Sequence, residues 1–431
     1  MTPGGRIAAA IEVLSDMEQH HRPATEALRD WGRTHRFAGS GDRAAIGNLV
    51  FDALRHKASA QWILDDETPR AATLGTLNLH WEKSAEALNG WFEGDRHAPS
   101  PLNESERKAL AERKLASAPD WIRADVPEWV EPLLRANFDD EVVTEGQALA
   151  ERPPVGLRVN TLKSNRERVS KALSRFSPHK AALAPDGLNL SAPNEFGRTP
   201  NIQADGAYQK GWVEIQDEGS QVAARLVFAQ PGEQVLDYCA GAGGKTLALA
   251  ACMENKGQIF AYDSDRLRLS AIHERIKRAG CRNVQVREPG PAPLSGLDGK
   301  MDRVVIDAPC TGSGVWRRRP DAKWRLSPEA LEKRLEEQRQ VLAEASTFVK
   351  PGGYLCYITC SVFAEENEGQ VYSFLEQSGD KFEILSAGEV WQDLFGFDAP
   401  QPWSSDDCSV TLTPATTGTD GFYFAVMGRR G

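Results

Sequence analysis

Residues 232–251 read GEQVLDYCAGAGGKTLALAA. An apolar run over 234–238 meets a turn holding Gly241, Gly243 and Gly244, and then an Ala/Leu-rich segment of helical character. Glycines at such a turn let a ligand approach the backbone, and the start of the helix offers unpaired N–H groups. Gly244-Lys245-Thr246 imitates the end of a phosphate-binding P-loop. That pattern requires glycine where Cys239 stands, so nucleoside triphosphate hydrolysis is set aside. A nucleoside ligand instead calls for an acid after the following strand, about 20 residues on. Asp263, which closes the run QIFAYD, meets that requirement.

The same rhythm continues toward the C-terminus. Apolar runs at 234–238, 258–262, 284–286, 303–306 and 353–358 alternate with helical patterns such as 265–279 and 328–349. This predicts an α/β fold, a Rossmann-like, mostly parallel sheet with helices on both faces. SVTLTP and GFYFAVMG end the chain without a helical pattern between them and read as an antiparallel hairpin closing the sheet. Toward the N-terminus, residues 1–145 read as all-helical. In GDRAAIGNLVFDALRHKASAQWIL, the residues Ile46, Leu49, Val50, Ala53 and Leu54 recur at helical spacing, with Asp42 as candidate N-cap. Six tryptophans in this part read as packing between helices. Residues 146–205 read as a small basic α/β subdomain: a strand at 156–159, a turn and a helix from about Ser164. The expected organisation is therefore 1–145, 146–205 and 206–431.

The 431 residues are 41% hydrophobic and 26% charged, as expected of a soluble globular protein. No run reaches the roughly 18 apolar residues of a membrane span, and the first residues do not read as a signal peptide. A cytoplasmic, monomeric protein is expected. The net charge of −10 does not advertise nucleic-acid binding, so any such role rests on local basic strips. The seven cysteines form no Cys-x-x-Cys pair, and neither a metal site nor a disulfide framework is expected.

Two cysteines stand out by position. RVVIDAPCTGSGVW places Asp307 and Cys310 just beyond a strand, and YLCYITCSVFAEENE does the same for Cys360. Ligands of open parallel sheets sit outside those strand ends, so neighbouring strands would bring all three residues to one cleft. Cys252, Cys281 and Cys356 fall inside helix or strand runs and read as inert.

DYCAGAGGKT, DAPCTGSGVWRRRPDAKW, YITCSVFAEENE and DGFYFA resemble the successive motifs of the RsmB-like (Sun-type) RNA cytosine-5 methyltransferases. GLRVNTLK is similar to that family's segment ahead of the catalytic domain, and the helical N-terminal part resembles its NusB-like RNA-binding domain. The resemblance implies a class I methyltransferase domain using S-adenosyl-L-methionine. It also implies methylation of cytosine carbon 5 in RNA, with 16S ribosomal RNA as the substrate of this branch. By the same resemblance Cys360 is the nucleophile on carbon 6, Cys310 assists product release and Asp307 holds the pyrimidine edge. A reactive thiolate needs a lowered pKa, and Lys245 is one source of the nearby positive charge that would lower it. Cofactor contacts fall on Cys239, Ala240, Gly241, Ala242, Gly243, Gly244, Lys245, Asp263 and Asp307. Two positions depart from the family pattern: the loop lacks its usual proline, and Gly290 stands where an acid beside the adenine is usual, with Glu288 close by. Alternatives are a tRNA substrate, or an RNA-binding ribosome-assembly factor with weakened catalysis.

Two basic strips supply the expected RNA contacts. Between residues 158 and 180 there are seven Lys/Arg against one acid, Glu167, and the strip includes Arg158, Asn160 and Lys163. After Cys310, RRRPDAKWR brings Arg317, Arg318, Arg319, Lys323 and Arg325 together with Trp316 and Trp324. Cations for phosphates and aromatics for unstacked bases suit a single-stranded RNA cleft.

Overall fold

A computed structural model of the chain describes residues 1–404 and 407–431. The chain divides into two compact units. One comprises residues 1–153, 192–199 and 316–326, and the other 154–191, 200–315 and 327–431. The stretch 146–205 is thus shared between the two units.

The first unit is built from helices, and every strand among the described residues lies in the second. Thr2-Pro3 and Thr68-Pro69 each open a helix: the threonine hydroxyl accepts from Gly5 or Ala71, and proline fits the first turn. Ile46, Leu49, Val50, Ala53 and Leu54 are buried in one core with Ile7, Val13, Leu14, Leu74 and Leu77. Asp42 is not the N-cap. The helix Ser40–Arg55 is capped by Gly39, and Asp42 sits in the first turn, where it accepts from the Gly39 N–H at 3.3 Å and from Arg6 at 2.9 Å. Trp31 and Trp81 are buried, with their indole N–H groups on Glu12 (2.9 Å) and Asp52 (2.8 Å), as packing residues require.

The segment 316–326 completes the C-terminal end of that same helix. Lys323 Nζ donates to the Arg55 carbonyl at 3.0 Å and Trp324 Nε1 to the Leu54 carbonyl at 2.6 Å. Arg55 in turn donates twice to the Arg317 carbonyl, at 2.9 and 2.8 Å. The last carbonyls of a helix have no partner within it, and here donors more than 260 residues away in sequence supply them.

The second unit carries two sheets. In the smaller, β1 (Val155–Val159), β2 (His179–Lys180), β3 (Gly187–Leu190) and β4 (Val213–Ile215) pair antiparallel in the order β2-β3-β1-β4. The larger has eight strands: β5 (Gln234–Asp237), β6 (Gln258–Tyr262), β7 (Val284–Arg287), β8 (Met301–Asp307), β9 (Val349–Thr359), β10 (Phe382–Ile384), β11 (Ser409–Leu412) and β12 (Phe422–Arg429). Their order is β10-β12-β9-β8-β5-β6-β7, with β11 beside β12. Strands β5 to β9 run parallel, and β12 pairs antiparallel with β9, β10 and β11. The expected terminal hairpin is present, although a short helix (Pro414–Thr417) interrupts its connection. The pattern expected as one helix over 265–279 is two, Arg266–Leu269 and Ile272–Ala279.

Strand order reverses at β5: the chain proceeds outward through β6 and β7 on one side and through β8 and β9 on the other. Loops leaving β5 and β8 therefore diverge and open a crevice at the strand ends, where open α/β sheets bind ligands. No helix among the described residues is long and apolar enough to cross a membrane.

Candidate active site

The loop after β5 is shaped by its glycines and by Asp263. Asp263, at the end of β6 and buried, accepts the Gly241 N–H at 2.9 Å through one carboxylate oxygen and the Asp265 N–H at 2.9 Å through the other. Gly243 has φ +83°, and a Cβ there would lie 2.6 Å from Ile272 Cγ1, so only glycine fits. Ala240 closes the turn by accepting from the Gly243 N–H at 2.8 Å, and Arg275 holds the Ala242 carbonyl at 2.7 Å. The helix Gly244–Cys252 then begins, and from it Thr246 donates to the Asp237 carboxylate at 2.6 Å.

Three strand-end acids, Asp237, Asp263 and Asp307, share this neighbourhood. Burial and then their negative charge push the Cys239 thiol well up, so it stays protonated and unreactive. Lys245, almost fully buried, pairs with Asp307 at 2.8 Å, and its ammonium lies 5.0 Å from the Phe422 ring centre. The lysine's partner is thus a carboxylate rather than a thiol. Asp307 itself is 36% exposed and open to a ligand. Backbone donors, a small-residue turn and surplus acid make a cradle suited to a nucleoside that carries a positive charge.

One strand further along lie the two thiols. Asp307 of β8 is in register with Ile358 of β9, so the loops after both strands start side by side. Cys310 Sγ and Cys360 Sγ stand 3.4 Å apart, both half-buried. Contact with Cys360, then burial, raises the Cys310 thiol well above its ordinary value. Gly312 has φ +72° and the Cys310 loop folds back, with the Gly314 N–H donating to the Cys360 carbonyl at 3.0 Å. Ser313 Oγ accepts the Val362 N–H at 2.9 Å. Three of the other cysteines behave as inert groups: burial pushes Cys356 up to about 12 and Cys281 up to about 11, and it raises Cys252 as well.

The comparisons with known proteins fall on this same architecture. The family described as 16S rRNA methyltransferase RsmB/F matches residues 224–428, and an RsmF/B-like ferredoxin-like domain matches 126–196. The ribosomal RNA small subunit methyltransferase B of Cronobacter sakazakii is 31% identical over 412 residues, covering 90% of each chain. The chain belongs to the RsmB/F family of rRNA methyltransferases.

The methyl donor of this RsmB/F enzyme is S-adenosylmethionine, whose cationic sulfonium and nucleoside match the acidic cradle above. Among solved structures, PH0851 aligns with a TM-score of 0.73 at 25% identity, covering 99% of each chain. NSun6 from Pyrococcus horikoshii, solved with SFG, has the same fold over 71% of this chain and 98% of its own, with a TM-score of 0.61 at 22% identity. Glu288, the candidate to replace the acid missing at Gly290, follows β7 directly and accepts from or pairs with His273 at 3.1 Å.

Several residues that the RsmB/F chain was expected to offer to RNA are corrected by burial. Arg158 is 6% exposed and donates to Gln216 at 2.7 Å. Asn160 is 3% exposed and bridges the Gly211 and Ala279 carbonyls, both at 2.8 Å. Arg317 and Lys323 are 3% and 1% exposed, built into the helix end described above. Trp316 is buried, which removes it as a stacking platform, and Trp324 is half-buried with its indole N–H on the Leu54 carbonyl. Lys163, Arg319 and Arg325 are exposed, and Arg318 is half-buried. Of the exposed three, Lys163 donates to the Arg278 and Lys210 carbonyls and Arg325 pairs with Asp321 at 3.0 Å.

Asp237 carried no role in the sequence reading. It is fully buried, one of its oxygens has no hydrogen-bond partner, and burial raises its pKa from 3.8 to about 7. Between those values the native state keeps a proton that the unfolded chain has released, so this group's contribution to stability is lost as pH rises toward 7. Asp237→Asn is expected to remove that component: urea midpoints of the variant should gain on the parent as pH goes from 5 to 8. An identical pH trend in both proteins would show that Asp237 is ionised throughout.

Proposed function

We propose that this chain methylates carbon 5 of a cytosine in 16S ribosomal RNA through a covalent cysteine adduct. The observation that carries the reading is the 3.4 Å approach of Cys310 and Cys360 beside Asp307, at the ends of adjacent strands. Carbon 5 of cytosine is a poor nucleophile. The Cys360 thiolate adds to carbon 6, and the electron pair of the ring double bond moves to carbon 5, which then attacks the methyl group. S-adenosylmethionine supplies that methyl group. A base, for which a water molecule suffices, takes the carbon 5 proton, the electrons of that C–H bond re-form the double bond, and the sulfur of Cys360 leaves with the electrons of the carbon–sulfur bond. Cys310, which starts as a thiol, assists that departure.

Asp307 orients the polar edge of the pyrimidine, and Lys245 holds its carboxylate in place. The turn from Cys239 to Gly244 and the buried carboxylate of Asp263 hold the nucleoside part of the methyl donor. Arg318, Arg319, Arg325 and Lys163 are the remaining candidates for phosphate contact. The helical first unit acts as a NusB-like RNA-binding domain. The chemistry calls for neither a metal nor a second subunit, and the substrate places the enzyme in the cytoplasm.

Bisulfite sequencing of total RNA from a strain lacking this gene tests the reading. One 5-methylcytosine should disappear from 16S rRNA and return with a plasmid copy. An unchanged 16S pattern with a loss in tRNA instead would reject the substrate, and no lost site anywhere would reject the reaction.

A further inference from the structure

Glu366 follows Cys360 by six residues, in a short 3₁₀ turn, and is fully buried. Its carboxylate reaches back across the site to the residue after Cys310. Oε1 accepts the Thr311 N–H at 2.8 Å and the Gln338 side-chain amide at 3.0 Å, and Oε2 accepts the Thr311 hydroxyl at 2.5 Å. Gln338 also holds the Pro309 carbonyl at 2.8 Å, so both neighbours of Cys310 are tied to one buried acid. From β9, the Tyr357 hydroxyl donates to the Glu366 backbone carbonyl at 2.8 Å. All these donors are neutral. A buried carboxylate is costly without a cation, and such a group in a site built on proton placement calls for a use.

We propose that Glu366 is a positioning residue that clamps the Cys310 loop against the Cys360 strand end and keeps the proton of the pair on Cys310. This rests on the two-thiol reading above. The clamp sets where the Cys310 sulfur stands, and the negative charge opposes a second negative charge on that sulfur. Two like charges in one buried site cannot both form cheaply. The titratable groups around it are Cys310, Cys360 and Tyr357, and burial together with Glu366 also raises the Tyr357 hydroxyl. Burial raises Glu366 itself. The division of labour follows: Cys360 is free to add to the ring, and Cys310 is held as the protonated partner.

The test alkylates the purified full-length protein with iodoacetamide between pH 6 and 11, without RNA or methyl donor, and follows the Cys310 peptide by mass spectrometry. Glu366→Gln keeps an acceptor for the Thr311 N–H but carries no charge, and it should move the Cys310 alkylation midpoint down by ~1 pH unit. Glu366→Ala should shift the midpoint likewise and also accumulate a covalent protein–RNA adduct, more of it than Glu366→Gln, which keeps the hydrogen-bonded clamp. Should the alanine variant fail to fold, the isosteric glutamine variant decides by its profile alone. An unshifted Cys310 profile in Glu366→Gln overturns the proposal. Absence of any RNA adduct in the parent and every variant would reject the two-thiol mechanism, and the substrate-free profile would still decide the role of Glu366.

Discussion

Cys360→Ala should abolish methyl transfer, by at least about a thousandfold, because carbon 5 of the ring is activated only while sulfur is bonded to carbon 6. Cys310→Ala should behave differently. Addition and methyl transfer still occur, but release of the ring from Cys360 fails, and a protein–RNA adduct should build up as a slower band on a denaturing gel. The asymmetry follows from the two roles proposed above. The sulfurs are 3.4 Å apart, close enough for Cys310 to act on the bond that Cys360 makes. A double variant should show neither methylation nor adduct. Undiminished methylation by Cys360→Ala, together with normal release by Cys310→Ala, would remove the basis of the mechanism.

Gly314→Ala is expected to damage both the fold and the site. A Cβ at residue 314 would lie 2.3 Å from the Gly421 carbonyl oxygen and 2.7 Å from its Cα, all of it backbone that cannot swing aside. The two glycines are joined by a hydrogen bond from the Gly421 N–H to the Gly314 carbonyl at 2.8 Å, while the Gly314 N–H holds the Cys360 carbonyl. Three segments distant in sequence meet here: the Cys310 loop, the end of β9 and the turn before β12. Forcing them apart should cost roughly 1–3 kcal/mol of stability. It should also slow turnover by about a hundredfold, because displacement near 1 Å is enough for that. Gly90→Ala, in the helix Ala85–Phe92 with nothing near the added Cβ, is the matched control: it should leave turnover unchanged and raise stability by about 0.4–1 kcal/mol, because alanine favours a helix over glycine. Thermal melting and single-turnover methylation of the two variants would check this. Parent-like values for Gly314→Ala would mean that the loop relaxes at little cost.

The catalytic half was legible because its signals are local. An apolar run, three glycines and an Ala/Leu helix leave little choice but a strand, turn and helix, and a cysteine just past an apolar run is placed at a strand end by period alone. Asp263, Asp307, Cys310 and Cys360 were found this way. Asp237 and Glu366 were not, since a strand acid and one of several acids in FAEENE carry no sign of burial until their neighbours are known. The paired departures at residue 42 and over 265–279 are boundary effects of one turn, where capping geometry decides and composition does not.

RRRPDAKWR shows the limit most clearly. Read locally, it is a cationic strip with aromatics; folded, Arg317 and Lys323 are among the buried residues, and Lys323 serves a carbonyl 268 positions away. The amino-acid order by itself determined the sheet-forming rhythm, the glycine turn and which residues stand at strand ends, because each of these depends on backbone conformation over fewer than about 20 residues. Only the tertiary structure decided which cations meet solvent, which glycines must touch and which acid steadies the thiols. Those outcomes depend on desolvation and unpaired backbone groups, and the partner that satisfies a buried polar atom can come from any point along the chain.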